Sequence, residues 1–275
     1  LSFSRFLLLL ILTGLVVPFS GVAQRSEIWR EKPGTWLLNG VVGLTHYTGD
    51  LSELGNLGHL QVGVAVNVAA AYRVSHQLSY RFEAQLYYIY AHQKYTRNYY
   101  NNLSFRSLNP DVWAGVQVDF WRVDDRYRAV IPYAIAGVGI TYMTPKALYY
   151  GQTYSLAPLQ TEGIHYKRLA GIIRYGLGLP LLASERFKFH LEGTYTHVLS
   201  DYLDDVSTVY PDRSNFGSLA ASLSDRRAEL ITIPNQPGEQ RGNTGRNDGY
   251  FILTGRLVFI IITPGQRSYR RQIGR

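Results

Sequence analysis

The chain of 275 residues has no cysteine, so disulfides and thiolate metal sites are both excluded. After its first two dozen residues it has no apolar run approaching the ~20 residues that a spanning helix needs. Charge is sparse at 17% Asp, Glu, Lys and Arg, and the net +8 is spread over the whole length. A nucleic-acid-binding face concentrates its cations, so no nucleic-acid partner is expected. The sequence also lacks a P-loop, an HExxH, a GxSxG and an internal repeat. No cofactor, no metal and no catalysis are expected from motifs.

The chain does contain 22 tyrosines. Tyr collects at membrane–water interfaces, where the ring lies in the apolar layer and the hydroxyl in water. Leu1–Gln24 carries Arg5, an apolar run from Phe6 to Val17, then Pro18 and small residues near Ala23. That is the layout of a secretory signal peptide, too short in its core for a transmembrane anchor. Residues 25–34 form a polar entry segment, residues 35–263 the main domain, and residues 264–275 a basic tail.

The organising stretch is Phe187–Ser207. Phe187, Phe189, Leu191, Gly193 and Tyr195 alternate with Lys188, His190, Glu192, Thr194 and Thr196, which gives one apolar and one polar face to a strand. The pattern recurs at 35–47, 60–74, 78–90, 103–121 (with a break near Asn109–Pro110), 129–143, 167–182 and 249–263. Connections between these segments run long, short, long, short, long, short, long. The expected fold is an all-β, eight-stranded antiparallel transmembrane β-barrel with four long extracellular loops and short periplasmic turns. That places the protein in the outer membrane of a Gram-negative cell, in contact with outer-membrane lipids. A soluble antiparallel sandwich is the alternative, and it does not account for four long connections at one end. A short helix is expected at 218–230 in the last loop, with Leu219, Leu223 and Leu230 on one side.

The polar register places Arg73, Arg81, Arg168, Arg174, Lys188 and Arg256 inside, with Glu83, Asp119 and Glu192. Eight strands leave a lumen just wide enough to be filled by side chains, so an ion-pair network that plugs it is expected. An anion-selective pore would need an open channel. His190 and Glu192 share a face two residues apart, the spacing of an acid–base pair in a surface enzyme or ligand-binding barrel working through the long loops. No nucleophile motif accompanies them. Asp201, Asp204 and Asp205 bring three carboxylates together without the glycine-punctuated spacing of a calcium loop, so no metal site is expected.

Four stretches carry a family likeness: GLTHYTGDL at 43–51, GVGITYMTPKA at 137–147, LAPLQTEG at 156–163 and SDYLDDVSTVY at 200–210. With them the chain resembles the PorG-like outer-membrane barrels of Bacteroidetes, which are tied to gliding motility and the type IX protein secretion system. The residues on which the likeness rests are Gly49, Asp50, Pro145, Thr161, Glu162, Gly163, Asp201, Tyr202, Asp204 and Asp205. The resemblance implies a non-enzymatic barrel associated with a periplasmic ring built from a lipoprotein and its partner. Candidate docking residues on the periplasmic side are Trp29 and Arg30, then Arg122, Asp124, Asp125, Arg126 and Arg128 in the second turn, and Arg267, Arg270 and Arg271 in the tail.

Overall fold

The period-two alternation becomes eight long strands in the computed structural model, which describes residues 32–53, 59–123, 130–183, 187–230 and 232–261. They are β1 (Trp36–Thr48), β2 (Val62–Arg73), β3 (Leu78–His92), β4 (Ser104–Asp119), β5 (Tyr133–Tyr142), β8 (Leu169–Ala183), β9 (Phe187–Val198) and β10 (Gly249–Ile261). Two short strands, β6 (Lys146–Tyr149) and β7 (Gln152–Ser155), form a hairpin in the third long connection. The long strands pair in the order β1-β2-β3-β4-β5-β8-β9-β10, and β10 returns to β1. Every neighbour is antiparallel and the ring is closed. No strand of the ring has a free edge, which is the condition for crossing lipid with strands.

Burial is inverted relative to a soluble protein. Val68 is 66% exposed on the outside, while Arg73 and Arg256 are each 1% exposed on the inside. Val42, Val64, Val66, Val138 and Leu177 continue the apolar outer band. Aromatic side chains close this band at both ends. Trp36 and Tyr72, Phe120 and Trp121, and Phe187 and Phe259 pair at the end of the short turns. Tyr88, Tyr90, Tyr142 and Tyr195 lie toward the other end. An apolar band between two aromatic girdles marks an outer-membrane barrel.

Several boundaries and placements differ from the sequence expectation. β4 is unbroken, because Pro110 faces outward one residue past the end of the β4–β5 ladder at Asp111–Thr141. A missing N–H is tolerated at such a position. β5 begins at Tyr133 rather than 129. The β6–β7 hairpin was not expected; its turn places Tyr150 and Gly151 at φ of 44° and 79°, the two positive values of a tight hairpin turn. Helix α1 covers only Ser218–Ser224, and a 3-10 turn follows at Arg227–Leu230. The chain bends between them because the Asp225 carboxylate accepts from the Arg227 and Asn235 backbone N–H groups and pairs with Arg213. Leu230 is consequently exposed, whereas Leu223 is buried. The signal peptide, most of the entry segment and the tail lie outside the described residues.

Candidate functional site

Two layers decide what this barrel can do: a charged layer across the lumen and a folded cap over its outer mouth. In the lumen, Arg81 on β3 reaches across to Glu192 on β9 with two hydrogen bonds of 2.7 and 2.8 Å. Arg256 on β10 binds the same carboxylate at 3.0 Å and Glu83 at 3.1 Å, and Arg81 closes the ring onto Glu83 at 3.0 Å. One level up, Arg174 binds Asp111 at 2.7 Å, and Tyr250 and Gln85 donate to the same carboxylate. Trp113 lies between the levels, with the Arg81 and Arg174 guanidinium carbons 5.4 and 5.6 Å from its ring. Three lumen-facing glycines make room for it: a Cβ on Gly115, Gly137 or Gly139 would come within 2.7 Å of Trp113 atoms. At the end of the short turns Arg73 pairs with Asp119.

The expected ion-pair network is therefore present around Arg73, Arg81, Arg174 and Arg256, with Arg168 and Asp111 placed differently from the expectation. Arg168 is not in the lumen: it precedes β8, donates to the Met143 carbonyl and lies over the outward ring of Tyr142. Asp111 is in the network, and its place was hidden by the supposed break at Pro110. His190 and Glu192 share the inner face, but Glu192 is taken by Arg81, Arg256 and Tyr133, and His190 Nδ1 lies 3.3 Å from the Tyr133 hydroxyl. They do not form a dyad with each other.

Above the charges the lumen turns apolar and runs without interruption into the loops. Tyr87 stacks on Tyr250 at 4.2 Å and Tyr47 meets Phe105 edge-on. Ile89, Met143, Ile172 and Val198 join Leu51, Leu203, Val206 and Leu223 in one buried cluster. The cap over this cluster is built from the sequence stretches that carry the family likeness. Thr161 donates to Asp205, and so does Tyr166 at 2.6 Å. Glu162 accepts from the Ser207 and Thr208 backbone N–H groups and from Arg241 at 2.8 Å. Tyr202 stacks on Tyr166 with ring centroids 4.3 Å apart. Asp50 accepts from the Asn243 N–H at 2.6 Å. Pro145 accepts from Leu156 N–H, which ties the base of the hairpin, and Gly163 takes a φ of 71° in the turn that follows.

Arg241 had no motif to announce it, yet it joins the loops. It reaches Glu162, the Asp205 carbonyl at 2.6 Å and the Ser224 carbonyl at the end of α1. Tyr47 and Asp248 were also missed. The Tyr47 hydroxyl lies 2.6 Å from Asp204 and 2.8 Å from Asp248. One phenol has one hydrogen, so both contacts are good hydrogen bonds only if one carboxyl keeps its own proton. Burial pushes both carboxyls well above the usual range, in agreement with that reading. Burial also pushes Asp205 up to about 6, against the pull of Arg241, Thr161 and Tyr166, and Asp201 up to about 7. Gly49 is needed here for space: a Cβ would lie 2.0 Å from the Tyr47 hydroxyl and from Asp248 Oδ1. Among the described residues no group of three or more His, Asp or Glu is arranged to hold a metal ion.

Of the expected periplasmic docking residues, only Arg122 is described. It is exposed just past β4, where Val123 N–H donates to the His76 carbonyl and ties this turn to the β2–β3 turn. Trp29, Arg30, Asp124, Asp125, Arg126, Arg128, Arg267, Arg270 and Arg271 lie outside the described residues.

No family model and no curated protein sequence matches the chain. Among solved structures it is similar to Neisserial surface protein A (11% identity, 82% of this chain and 96% of that one, TM-score 0.44). It is also similar to the outer membrane protein OprG from Pseudomonas aeruginosa (12%, 86% and 100%, TM-score 0.46). A third is the attachment invasion locus protein Ail of Yersinia pestis (13%, 82% and 99%, TM-score 0.37). The membrane-spanning character of this chain rests on its own closed pairing and inverted burial.

Proposed function

We propose that this outer-membrane barrel is a closed, non-catalytic anchor, and that it serves a type IX protein secretion machine by docking its periplasmic side on the ring made by a lipoprotein and its partner. The observation that carries the anchor reading is the Arg81–Glu192–Arg256–Glu83 ring, which ties β3, β9 and β10 together through the centre of the lumen. A conduit for ions or polypeptide would have to dismantle this ring and the apolar layer above it. The secretion role rests on the family likeness of the four loop stretches, three of which meet in one cap. The docking surface is then the periplasmic side, with Arg122 and its turn, the entry segment and the basic tail as its parts.

The test is crosslinking of tagged protein in gently solubilised outer membranes, followed by pull-down and mass spectrometry. Recovery of the ring lipoprotein and its partner, lost when residues 264–275 are deleted or the second-turn charges are reversed, is the expected result. If the barrel comes down without them, the secretion role is wrong and the anchor reading stands alone.

A further inference from the structure

The outer wall is not uniform around its extracellular rim. On the β3–β4–β6 side, Tyr90 is directly opposite Arg106, and Arg106 directly opposite Lys146, so the three form one outward row across neighbouring strands. Lys94 lies just above the row with its ammonium over the Tyr95 ring, and Arg168 lies over Tyr142 on the next strand along. None of these four cations makes an ion pair among the described residues. Arg106 donates to Thr153 and Arg168 to a backbone carbonyl. On the opposite side of the same rim, the outward residues of β1, β9 and β10 are His46, Tyr195, His197 and Phe251, with no Lys or Arg among them.

Beneath the row the wall is greasy, with Leu86, Leu108, Val112, Val138 and Ile140 all outward. A groove of about 480 Å3 opens at the level of the cations, between Tyr88, Tyr90, Lys94, Tyr95, Arg106 and Leu148. From membrane centre to surface the wall therefore runs from apolar residues to a rim where tyrosines, groove and positive charge lie together. That is the order of acyl chains and then a phosphorylated glycosidic head in an amphiphile of the outer leaflet.

We propose that this face binds a phosphorylated glycolipid of the outer leaflet, its phosphates held by Arg106 and Lys146 with Lys94 closing from above, and its acyl chains lying along Leu108 and Val112. A free phosphate would meet only exposed cations in salt, where the Debye length is about 8 Å. The lipid adds apolar contact with the wall and is held at the right height. A belt of snorkelling cations for general anchoring would run round the whole rim; among the described residues the outward strand cations Arg106 and Lys146 occupy one side. The inference rests on the membrane-spanning reading and not on the secretion role, so the pull-down can fail without touching it.

The test is native mass spectrometry of protein reconstituted in phosphatidylcholine vesicles doped equally with diphosphorylated and dephosphorylated lipid A, then extracted in mild detergent. Wild type is expected to retain the diphosphorylated form about tenfold over the other, and Lys94→Gln/Arg106→Gln/Lys146→Gln to lose that preference. Arg97→Gln, which removes a cation that is 92% exposed and paired with Glu53, should keep it. Should the triple variant fold poorly by heat-modifiable migration, Lys146→Gln alone, at the exposed hairpin, is expected to lower the preference several-fold. Equal retention of the two lipids by wild type, or an undiminished preference in the folded variants, overturns the proposal. So does a preference abolished by inorganic phosphate alone, which would assign the site to a free anion.

Discussion

Removing Glu192 is the sharpest perturbation of the lumen. Its two carboxylate oxygens accept from Arg81 at 2.7 and 2.8 Å, from Arg256 at 3.0 Å and from Tyr133 at 2.9 Å, and the residue is 2% exposed. The central layer sets Arg81, Arg174 and Arg256 against Glu83, Glu192 and Asp111, so its charge balances. Glu192→Ala leaves one uncompensated buried cation. Breaking a buried pair from one side costs about 3–5 kcal/mol. A neutral double variant, Glu192→Gln/Arg256→Met, removes one charge of each sign, and a coupling of about 1–3 kcal/mol is expected to return part of the loss. The assay is urea unfolding in vesicles followed by tryptophan fluorescence, to which Trp113 reports from between Arg81 and Arg174. A Glu192→Ala unfolding free energy within about 1 kcal/mol of wild type would refute the idea that this ring holds the barrel closed. A double variant no more stable than the sum of the two singles would refute the charge-balance argument specifically.

Trp113→Ala is expected to destabilise by about 3–5 kcal/mol and to admit water beside Arg81, read as conductance steps in planar bilayers that wild type lacks. Gly49→Ala forces a methyl against the Tyr47 hydroxyl and Asp248, and an overpacking cost of about 1–3 kcal/mol should appear as faster proteolysis within residues 199–248. The cap should also weaken as pH rises. Burial pushes the folded pKa of Asp205 up to about 6 and raises those of Asp204 and Asp248 as well, against about 3.9 when unfolded. Between those values the folded state holds protons that the unfolded state has lost, so stability is greatest below about pH 4 and falls as each folded pKa is passed. Hydrogen exchange of the loop amides, corrected for intrinsic rate, should be slower at about pH 5 than at about pH 8; equal protection would mean the cap carboxyls are already charged at both.

The barrel was legible because each strand states its own register. Once Phe187, Phe189 and Leu191 are placed outward, Lys188, His190 and Glu192 must face inward, and the ring of pairings follows. What could not be read was anything that depends on contact between distant segments. Asp111 was obscured by Pro110, a residue that argues against a strand interior unless the neighbouring ladder is known to end there. The β6–β7 hairpin turns on Tyr150, which lacks the Asn or Asp signal usual at a positive φ. Arg168 kept the right alternation but lies just before the strand, where the chain is free to swing its side chain outward onto Tyr142. In the cap, Thr161, Glu162, Asp204 and Asp205 stood out as patterns, while Arg241, Tyr47 and Asp248 did not. The first group sits in compact motifs. The second is defined by what it touches across separations of 17 to 201 residues.

The two closures of this barrel differ in kind, and that difference bears on how it can work. The lumen layer is charge-balanced and held by several arginine–carboxylate contacts, so opening it strands charges in a low-dielectric interior and is expensive at any pH near neutral. The cap is held by carboxyls that burial pushes toward their protonated form, with Tyr47 shared between two of them, so its strength is expected to change with pH. A gate would combine a labile lid with a lumen that can empty; here only the lid is labile. On the proposed anchor role, the charge-balanced lumen layer would separate change in the cap from the opposite end of the barrel. If the barrel docks on a ring as proposed, locking the lid with an engineered disulfide between loop residues should leave that association unchanged, whereas Glu192→Ala should weaken it in proportion to the stability lost.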